Sequence, residues 1–271
     1  MTRYGMLIDL SRCSGCNACT ISCKAYNATP QGVSFIHVGK SESGKFPDTK
    51  AIFLPRACMH CKDAPCVKAC PTHAMSKRGD GIVTLDRGKC IGCRYCVAAC
   101  PFDALTYVSE IQSYYGNSNS NLFEQVGYAQ RKVGTVAKCE FCVTRVDQGY
   151  QPACVQTCPL GARMFGDLED PNSEISQLIS SSNAVQLLSQ RKTDPSVYYV
   201  MPTQQQTPVT AEQQQTLLKI SASPDVVPLT LINEAKDWIK PLAVVAIGGV
   251  VLGTAVNMVK SNRDHQEKVE I

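Results

Sequence analysis

The residues best suited to chemistry in this chain are cysteines, and one run sets their pattern: Cys90-Ile91-Gly92-Cys93-Arg94-Tyr95-Cys96-Val97-Ala98-Ala99-Cys100-Pro101. The spacing C-x2-C-x2-C-x3-C-P suits three thiolates wrapped round one iron–sulfur cubane, with the fourth reaching a different cluster. Two residues between ligands let a tight loop aim successive sulfurs at neighbouring corners. Three residues then span about one helical turn, so Cys100 faces away from the first cluster and towards a second. Pro101 has no N–H and a fixed φ, which suits a turn beside buried sulfur. Such a run needs a partner run.

The chain supplies three more. Its sixteen cysteines divide without remainder into quartets: Cys13, Cys16, Cys19, Cys23; Cys58, Cys61, Cys66, Cys70; Cys90, Cys93, Cys96, Cys100; and Cys139, Cys142, Cys154, Cys158. Each quartet closes with C-x3-C. Pro71, Pro101 and Pro159 follow the last cysteine of three quartets, whereas Lys24 stands in that place in the first, so a different turn is expected there. Disulfides and structural zinc are the competing readings. A disulfide framework fits poorly, because no secretory signal is expected ahead of Cys13 and the chain exceeds a typical disulfide scaffold. Zinc sites use C-x2-C pairs but rarely C-x2-C-x2-C followed by a fourth cysteine after three residues. No C-x-x-C-H occurs for haem attachment. His60, inside Cys58-Met59-His60-Cys61, reads as a packing residue or hydrogen-bond donor rather than a ligand.

These quartets must be positioned by short elements. Residues 4–10 read as a strand leading into the first cysteine loop, and residues 82–86 do the same before the third. Residues 39–50, rich in Gly, Ser and Lys, read as a loop, followed by a strand at 52–54. Strand, cysteine loop, short helix and strand form a ferredoxin-like unit, and residues 51–110 read as one two-cluster module. Residues 111–137 separate the third and fourth quartets, either as a solvated surface insertion or as a contact for a partner. Asp170 and Pro171 look like the N-cap and first position of a helix reaching about Leu188. Residues 201–235 read as a linker, with Gln, Thr and Pro concentrated in 202–216.

With 271 residues, one tryptophan and a net charge of +4, the chain allows one or two small domains with a thin aromatic core. Bound metal is therefore expected to do much of the folding work. The mild positive charge suits anionic clusters, and no basic stripe points to nucleic acid.

From Pro241 to Val259 the chain carries no charge. As a helix this run would cover roughly 28 Å, close to the ~30 Å hydrocarbon thickness. Trp238, Lys240 and Lys260 suit interfacial anchors, so a transmembrane helix is expected over 238–260. A buried core helix is the alternative, but the upstream linker offers no apolar shell for it. Gly249 and Gly253, with Gly248 beside them, offer a small face for another membrane helix. Lys260, Arg263 and Lys268 against Lys236 and Lys240 favour a cytoplasmic tail.

In this order and spacing the quartets resemble the iron–sulfur subunits of membrane-bound molybdopterin oxidoreductases, among them dimethyl sulfoxide, polysulfide, thiosulfate, arsenate and formate-oxidising complexes. The likeness covers residues 4–110 and 138–200. Its most specific parts are the run from Cys90 to Pro101, Lys138-Cys139-Glu140-Phe141-Cys142, Pro159-Leu160-Gly161-Ala162-Arg163, and Asp170-Pro171-Asn172-Ser173-Glu174. Pro195-Ser196-Val197-Tyr198-Tyr199 looks like the family's closing strand. The C-terminal helix is similar to the anchor of the respiratory formate dehydrogenase subunit and of a hydrogenase-associated ferredoxin subunit. The resemblance implies an α+β fold of two pseudo-symmetric, bacterial two-cluster ferredoxin-like modules. Residues 1–50 with 138–200 would form one module and 51–110 the other. It implies four [4Fe–4S] clusters, held by Cys13, Cys16, Cys19 and Cys158; by Cys139, Cys142, Cys154 and Cys23; by Cys58, Cys61, Cys66 and Cys100; and by Cys90, Cys93, Cys96 and Cys70. Cys93 is present where some relatives lack a cysteine and hold a [3Fe–4S] centre. The Cys13 cluster would lie nearest the catalytic subunit and the Cys90 cluster nearest the membrane partner.

No constellation suggests a substrate of the chain's own. His37 and His265 read as surface residues, while His60 and His73 lie beside cluster loops and could tune potential. Lys89, Arg94 and Lys138 could do the same or be solvated or packing residues. The expected function is a non-catalytic electron relay between a molybdopterin catalytic subunit and an integral membrane subunit carrying quinone or haem. Alternatives are the equivalent subunit of a nickel–iron hydrogenase, a membrane-anchored polyferredoxin working alone, or a zinc-binding scaffold. Arg3 stands alone, without a twin-arginine signal. Relatives of this kind are often carried across the membrane folded, on the partner's signal, so the outer face of the cytoplasmic membrane is expected.

Overall fold

The computed structural model describes residues 2–116 and 121–202. The elements follow in chain order: β1 (Tyr4–Asp9), α1 (Ala18–Asn27), β2 (His37–Ser43), β3 (Lys50–Arg56), α2 (Pro65–Lys68), β4 (Met75–Lys77), β5 (Val83–Leu85), α3 (Tyr95–Ala99) and β6 (Leu105–Val108). After these come α4 (Leu122–Ala129), β7 (Thr135–Lys138), α5 (Val143–Val146), α6 (Ala153–Gln156), β8 (Arg163–Asp167), α7 (Glu174–Ser181), β9 (Ala184–Val185) and β10 (Val197–Val200). Strands and helices are short because each only spans the interval between one cysteine loop and the next.

β1 is the centre of a four-stranded sheet ordered β8-β1-β10-β9. It runs antiparallel to β8, with Met6 opposite Phe165, and parallel to β10, with Met6 opposite Val197. Gly5, Met6, Leu7 and Ile8 are all buried. Both faces of the strand are covered, so its sequence is a continuous apolar run rather than an alternation. Three two-stranded ribbons, β2-β3, β4-β5 and β6-β7, complete the sheet structure of the described residues.

Eight cysteines lie in the same core as Met6, Ile8, Ile36, Leu54, Met59, Phe102, Phe141 and Tyr199: Cys19, Cys23, Cys58, Cys61, Cys66, Cys96, Cys139 and Cys154. Burying a large apolar side chain contributes roughly 1.5–3 kcal/mol, and an orphaned hydroxyl would cancel about as much. Tyr199, fully buried, avoids that loss because its hydroxyl donates to the Pro55 carbonyl at 3.1 Å.

Three local expectations change. Residues 39–50 are not all loop: β2 reaches Ser43 and pairs with β3 from His37 opposite Arg56 to Ser43 opposite Lys50. Of the polar residues that suggested a loop, Lys40 and Glu42 lie on one face of β2, where both are exposed and form an ion pair. The helix expected from Asp170 starts later. Asp170 Oδ1 accepts from Asn172 N–H in a turn, and Ser173 is the N-cap, its Oγ accepting from Ser176 N–H at 3.3 Å. The helix also ends at Ser181, well before Leu188, where hydroxyls of Ser181 and Ser182 compete for the Leu178 carbonyl.

Within residues 111–137, Asn121 caps α4 by accepting from Glu124 N–H at 2.9 Å. This helix is docked on the end of α1: a Cβ on Gly127 would lie 2.1 Å from that of Ala28, and Arg131 donates to the Asn27 and Ala28 carbonyls. Its Leu122, Phe123 and Val126 side chains are exposed. No helix of the described residues is long and apolar enough to cross a membrane. The apolar run at 241–259 and nearly all of the expected linker lie outside the described residues.

Candidate metal centres

All sixteen cysteines are described, and all are free thiols. Each quartet opens with a C-x-x-C loop, and the third residue of that opening loop has a left-handed backbone: Gly15 (φ 72), His60 (φ 44), Gly92 (φ 71) and Phe141 (φ 51). That conformation turns the chain so that both flanking sulfurs face the same side. At Gly15 and Gly92 only glycine fits. A Cβ would lie 2.2 Å from the Phe53 ring at Gly15 and 1.9 Å from the Gly134 carbonyl oxygen at Gly92. The other two loops carry rings, and His60 and Phe141 stack with centroids 3.7 Å apart.

A second repeat follows the closing cysteines. After Cys70-Pro71, Cys100-Pro101 and Cys158-Pro159, the third residue beyond the cysteine is left-handed: His73 (φ 52), Asp103 (φ 49) and Gly161 (φ 56). The turn then points a backbone N–H at the sulfur. Met75 N–H donates to Cys70 Sγ at 3.4 Å and Ala162 N–H to Cys158 Sγ at 3.3 Å. Cys100 receives backbone donors from Ala104 and Phe102. The first quartet lacks the proline, and there α1 continues past Cys23. Its sulfur is served by the Asn27 side chain, whose Nδ2 donates at 3.4 Å.

Four short helices carry the C-x3-C pairs. Cys19 and Cys23 lie on α1, and Cys154 on α6 with Cys158 just beyond. Cys66 lies on α2 with Cys70 just beyond, and Cys96 on α3 with Cys100 at its end. Four residues of helix advance about 6 Å, so each pair offers its sulfurs to two different places. α1 packs with α6, and α2 with α3.

The thiols are thereby gathered in four sets drawn from different quartets. Cys13, Cys16, Cys19 and Cys158 line one cavity. Cys23 has Cys154 and Cys142 as its thiol neighbours, and Cys139 has Cys23 and Cys154. Cys66 has Cys58, Cys100 and Cys61. Cys70, Cys90, Cys93 and Cys96 line another cavity. The sets also touch in sequence. Cys154 feels Cys19, Cys139 feels Cys58, and α2 and α3 tie the Cys58 set to the Cys90 set.

Burial makes these thiols poor at being charged on their own. Cys23, Cys61 and Cys66 are each pushed up to about 12, and Cys96 and Cys100 to about 11, chiefly by burial. For Cys23, ionising costs roughly 4 kcal/mol more than in water. Without metal these interior thiols stay neutral; as thiolates they need positive charge beside them, as iron supplies. The sulfurs surround space rather than meet at a point. Among the described residues no three Cys, His, Asp or Glu side chains converge tightly enough for one ion. A tetrahedral zinc ion would hold its sulfurs roughly 3.8 Å apart, from a Zn–S bond of about 2.3 Å. Thiol-lined cavities with N–H groups aimed at sulfur fit a cubane.

Other expected residues divide. His60 packs on Phe141, and its Nδ1 accepts from Val83 N–H at 3.0 Å instead of donating. Lys138 is buried, donating to the Val83 and Cys139 carbonyls. Arg94 is exposed over the Tyr107 ring at 3.6 Å, and Lys89 is exposed beside Asp86 at 3.6 Å. His73 is exposed. His37 is not a surface residue: it is half-buried on β2, its pKa lowered by burial and then by Arg56. His265 lies outside the described residues. Sequence reading missed Asn27, and also Arg163 as a buried cation beside Cys154; an amide four residues after the one closing cysteine without proline was the available signal for the first.

One 4Fe-4S dicluster domain model matches residues 49–115 and 119–168, and a second matches residues 12–74. A Halobacterium salinarum protein named as an iron-sulfur subunit of dimethyl sulfoxide reductase is 41% identical over 213 residues, covering 74% of this chain and 79% of that one. The chain belongs to the iron–sulfur electron-transfer subunits of molybdopterin oxidoreductases. The arsenate respiratory reductase iron-sulfur subunit ArrB of Shewanella sp. is 38% identical over 224 residues, 73% of this chain and 96% of that one. One subunit of the tetrathionate reductase of Salmonella typhimurium is 40% identical over 202 residues, 73% and 72% of the two chains. Such iron–sulfur subunits transfer electrons and are not the catalytic subunits of their complexes. Two dicluster domains imply four [4Fe–4S] clusters in this chain.

Proposed function

We propose that this subunit relays electrons through four [4Fe–4S] clusters held by the four thiol sets. In order along the row these are Cys13, Cys16, Cys19, Cys158; Cys139, Cys142, Cys154, Cys23; Cys58, Cys61, Cys66, Cys100; and Cys90, Cys93, Cys96, Cys70. The observation that carries this is the continuity of the sets, from Cys19 beside Cys154 to Cys139 beside Cys58 and on through α2 and α3. Exposed Cys16 and Cys93 belong to the two end sets, so each end of the row reaches the surface. Each cluster, when bound, accepts and returns one electron. The chain's own contribution is to keep the interior sulfurs dry, to donate N–H groups to them, and to fix the spacing of successive centres.

One end would meet a molybdopterin catalytic subunit, as the names of the reductase relatives suggest. The other would meet an integral membrane subunit carrying quinone or haem. Residues 238–260 would anchor the chain in the cytoplasmic membrane, with the cluster modules on its outer face. Charge-free residues from Pro241 to Val259 support that reading.

The test uses the complex purified without oxygen. About sixteen irons per chain and four reducible paramagnetic centres are expected. Cys16→Ser and Cys93→Ser should each alter one centre and leave three. Far fewer irons, or no such centres, overturns the relay. With the chain expressed without its partner subunits, deleting residues 237–271 should move it from the membrane to the soluble fraction; in the wild-type complex, protease should reach the cluster modules in intact spheroplasts. Retention in the membrane, or protection, would overturn the anchor or the outer-face placement respectively.

A further inference from the structure

Arg163, the first residue of β8, has its guanidinium buried among sulfurs. The residue is 4% exposed. Nη1 lies 3.1 Å from Met6 Sδ and 3.6 Å from Cys154 Sγ. Nε and Nη2 are buried and make no hydrogen bond among the described residues. No carboxylate there forms an ion pair with Arg163. The side chain lines the cavity that holds Cys13, Cys16, Cys19 and Cys158, and also the one shared by Cys58, Cys139 and Cys154.

A buried guanidinium needs negative charge, and its N–H groups need acceptors. Among the described residues the acidic groups beside it are the thiols of the first two sets, which are anionic when they ligate iron. Lys138 and Arg56, the other buried cations near these sites, differ: Lys138 donates to backbone carbonyls and Arg56 to the Phe102 carbonyl at 2.6 Å.

We propose that Arg163 is the positioning residue that raises the reduction potentials of the Cys13 and Cys139 centres together. This rests on the ligand sets proposed above. Reduction adds one electron to a centre and makes it more negative, so a fixed positive charge and two free N–H donors favour the reduced form. The electron comes from the neighbouring centre and leaves to the next; Arg163 itself neither gains nor loses a proton or electron. The physical effect is to lift those two centres together relative to the other two.

The experiment compares the wild-type complex with Arg163→Met and Arg163→Lys, purified without oxygen and titrated redox step by redox step under paramagnetic resonance. Arg163→Met keeps volume and removes charge and donors. Two centres should fall in potential while two stay, each by at least about tenfold in the oxidised-to-reduced ratio at a fixed potential, which is about 59 mV for one electron. Arg163→Lys should restore part of the fall in the same two. Unmoved potentials with iron retained, or an equal fall in all four centres, overturns the proposal. Should Arg163→Met lose iron, Arg163→Lys decides: a smaller fall confined to two centres supports the assignment, and unchanged potentials sink it. The ligand sets are judged separately by Cys16→Ser in an otherwise wild-type chain; if that variant keeps all four centres, the sets fail whatever Arg163 does.

Discussion

The imidazole of His60 lies face to face with the ring of Phe141, centroids 3.7 Å and planes 22° apart. The two residues occupy the same position in two cysteine loops that lie far apart in the chain, each with a left-handed backbone. Their stack joins the loop of Cys58 and Cys61 to the loop of Cys139 and Cys142 at the middle of the row. The matching positions at the outer loops, Gly15 and Gly92, have no room for a side chain. One local conformation is thus met by glycine where another segment crowds the loop and by paired rings where two loops meet.

The stack gives a test in which two effects oppose each other. Phe141→Gly relieves a left-handed residue, worth roughly 1–2 kcal/mol, but removes a buried ring whose truncation costs about 3–5 kcal/mol. Loss should win. Phe141→Gly is expected to destabilise the holoprotein by about 2–3 kcal/mol, and Phe141→Ala by more, since it keeps the strain. Anaerobic denaturant titrations followed by visible absorbance would rank the two. Equal stability of Phe141→Gly and wild type would show that the ring contributes no more than the strain it leaves behind.

Gly92→Ala makes a sharper demand. The added Cβ meets the Gly134 carbonyl at 1.9 Å on a backbone of φ 71, and neither can yield without moving the Cys90–Cys93 loop or the start of β7. Loss of about four irons per chain is expected, with the other three centres intact. Gly79→Ala is the control, because nothing lies within 4 Å of a Cβ there and its φ is not in the left-handed region. Iron counts that fall equally in both variants would refute the steric argument.

The cysteine rhythm made the metal chemistry legible because ligand spacing is a local property: two residues make a loop and three make a helical turn. The apolar run at 4–10 announced β1 for the same reason. What escaped was set by contacts between distant segments. His60 and Phe141 are ordinary residues separately, and only the fold makes them partners. Arg163 looked like part of a motif, and its burial beside Cys154 depends on β8 pairing with β1. The hairpin of β2 and β3 was missed because Lys40 and Glu42 on β2 are exposed, opposite Phe53 and Ala51 on β3. Asp170-Pro171 resembled a helix start, but Ser173 offered a better hydroxyl cap three residues on.

Glu124 ties α4 to the loop before it and should respond to acid. Its carboxylate accepts from Ser113 Oγ at 2.5 Å, Tyr114 N–H at 2.9 Å and Tyr128 Oη at 3.1 Å. Burial favours the neutral acid, but these donors outweigh it and hold the pKa below its usual 4.5. A depressed native value means stability that is complete above about 4.5 and is lost as pH falls through the lowered value. Protection against hydrogen exchange at residues 122–129, measured relative to the intrinsic rate at each pH, should therefore fall in acid ahead of the cluster loops. Glu124→Gln should exchange faster at neutral pH and show a flatter acid response. The same acid response in both proteins would remove Glu124 as its source.

Asn27 does for Cys23 what a backbone N–H does after each Cys-Pro turn. Its Nδ2 lies 3.4 Å from Cys23 Sγ, and it also supplies a donor to Cys142. A hydrogen bond to thiolate sulfur stabilises the more negative, reduced centre and raises its potential. Asn27→Ala should then lower the potential of one centre, the one assigned to Cys139, Cys142, Cys154 and Cys23, without loss of iron. Asn27→Asp should lower it further, because it replaces a donor with a negative charge. Redox titration under paramagnetic resonance reads both. The centre moved by Asn27→Ala should be one of the two moved by Arg163→Met, since Cys23 and Cys154 belong to the same set. If Asn27→Ala moves a different centre, that shared set is wrong. If it moves none, the side-chain donor has no part in setting the potential, and the first quartet differs from the other three in backbone shape alone.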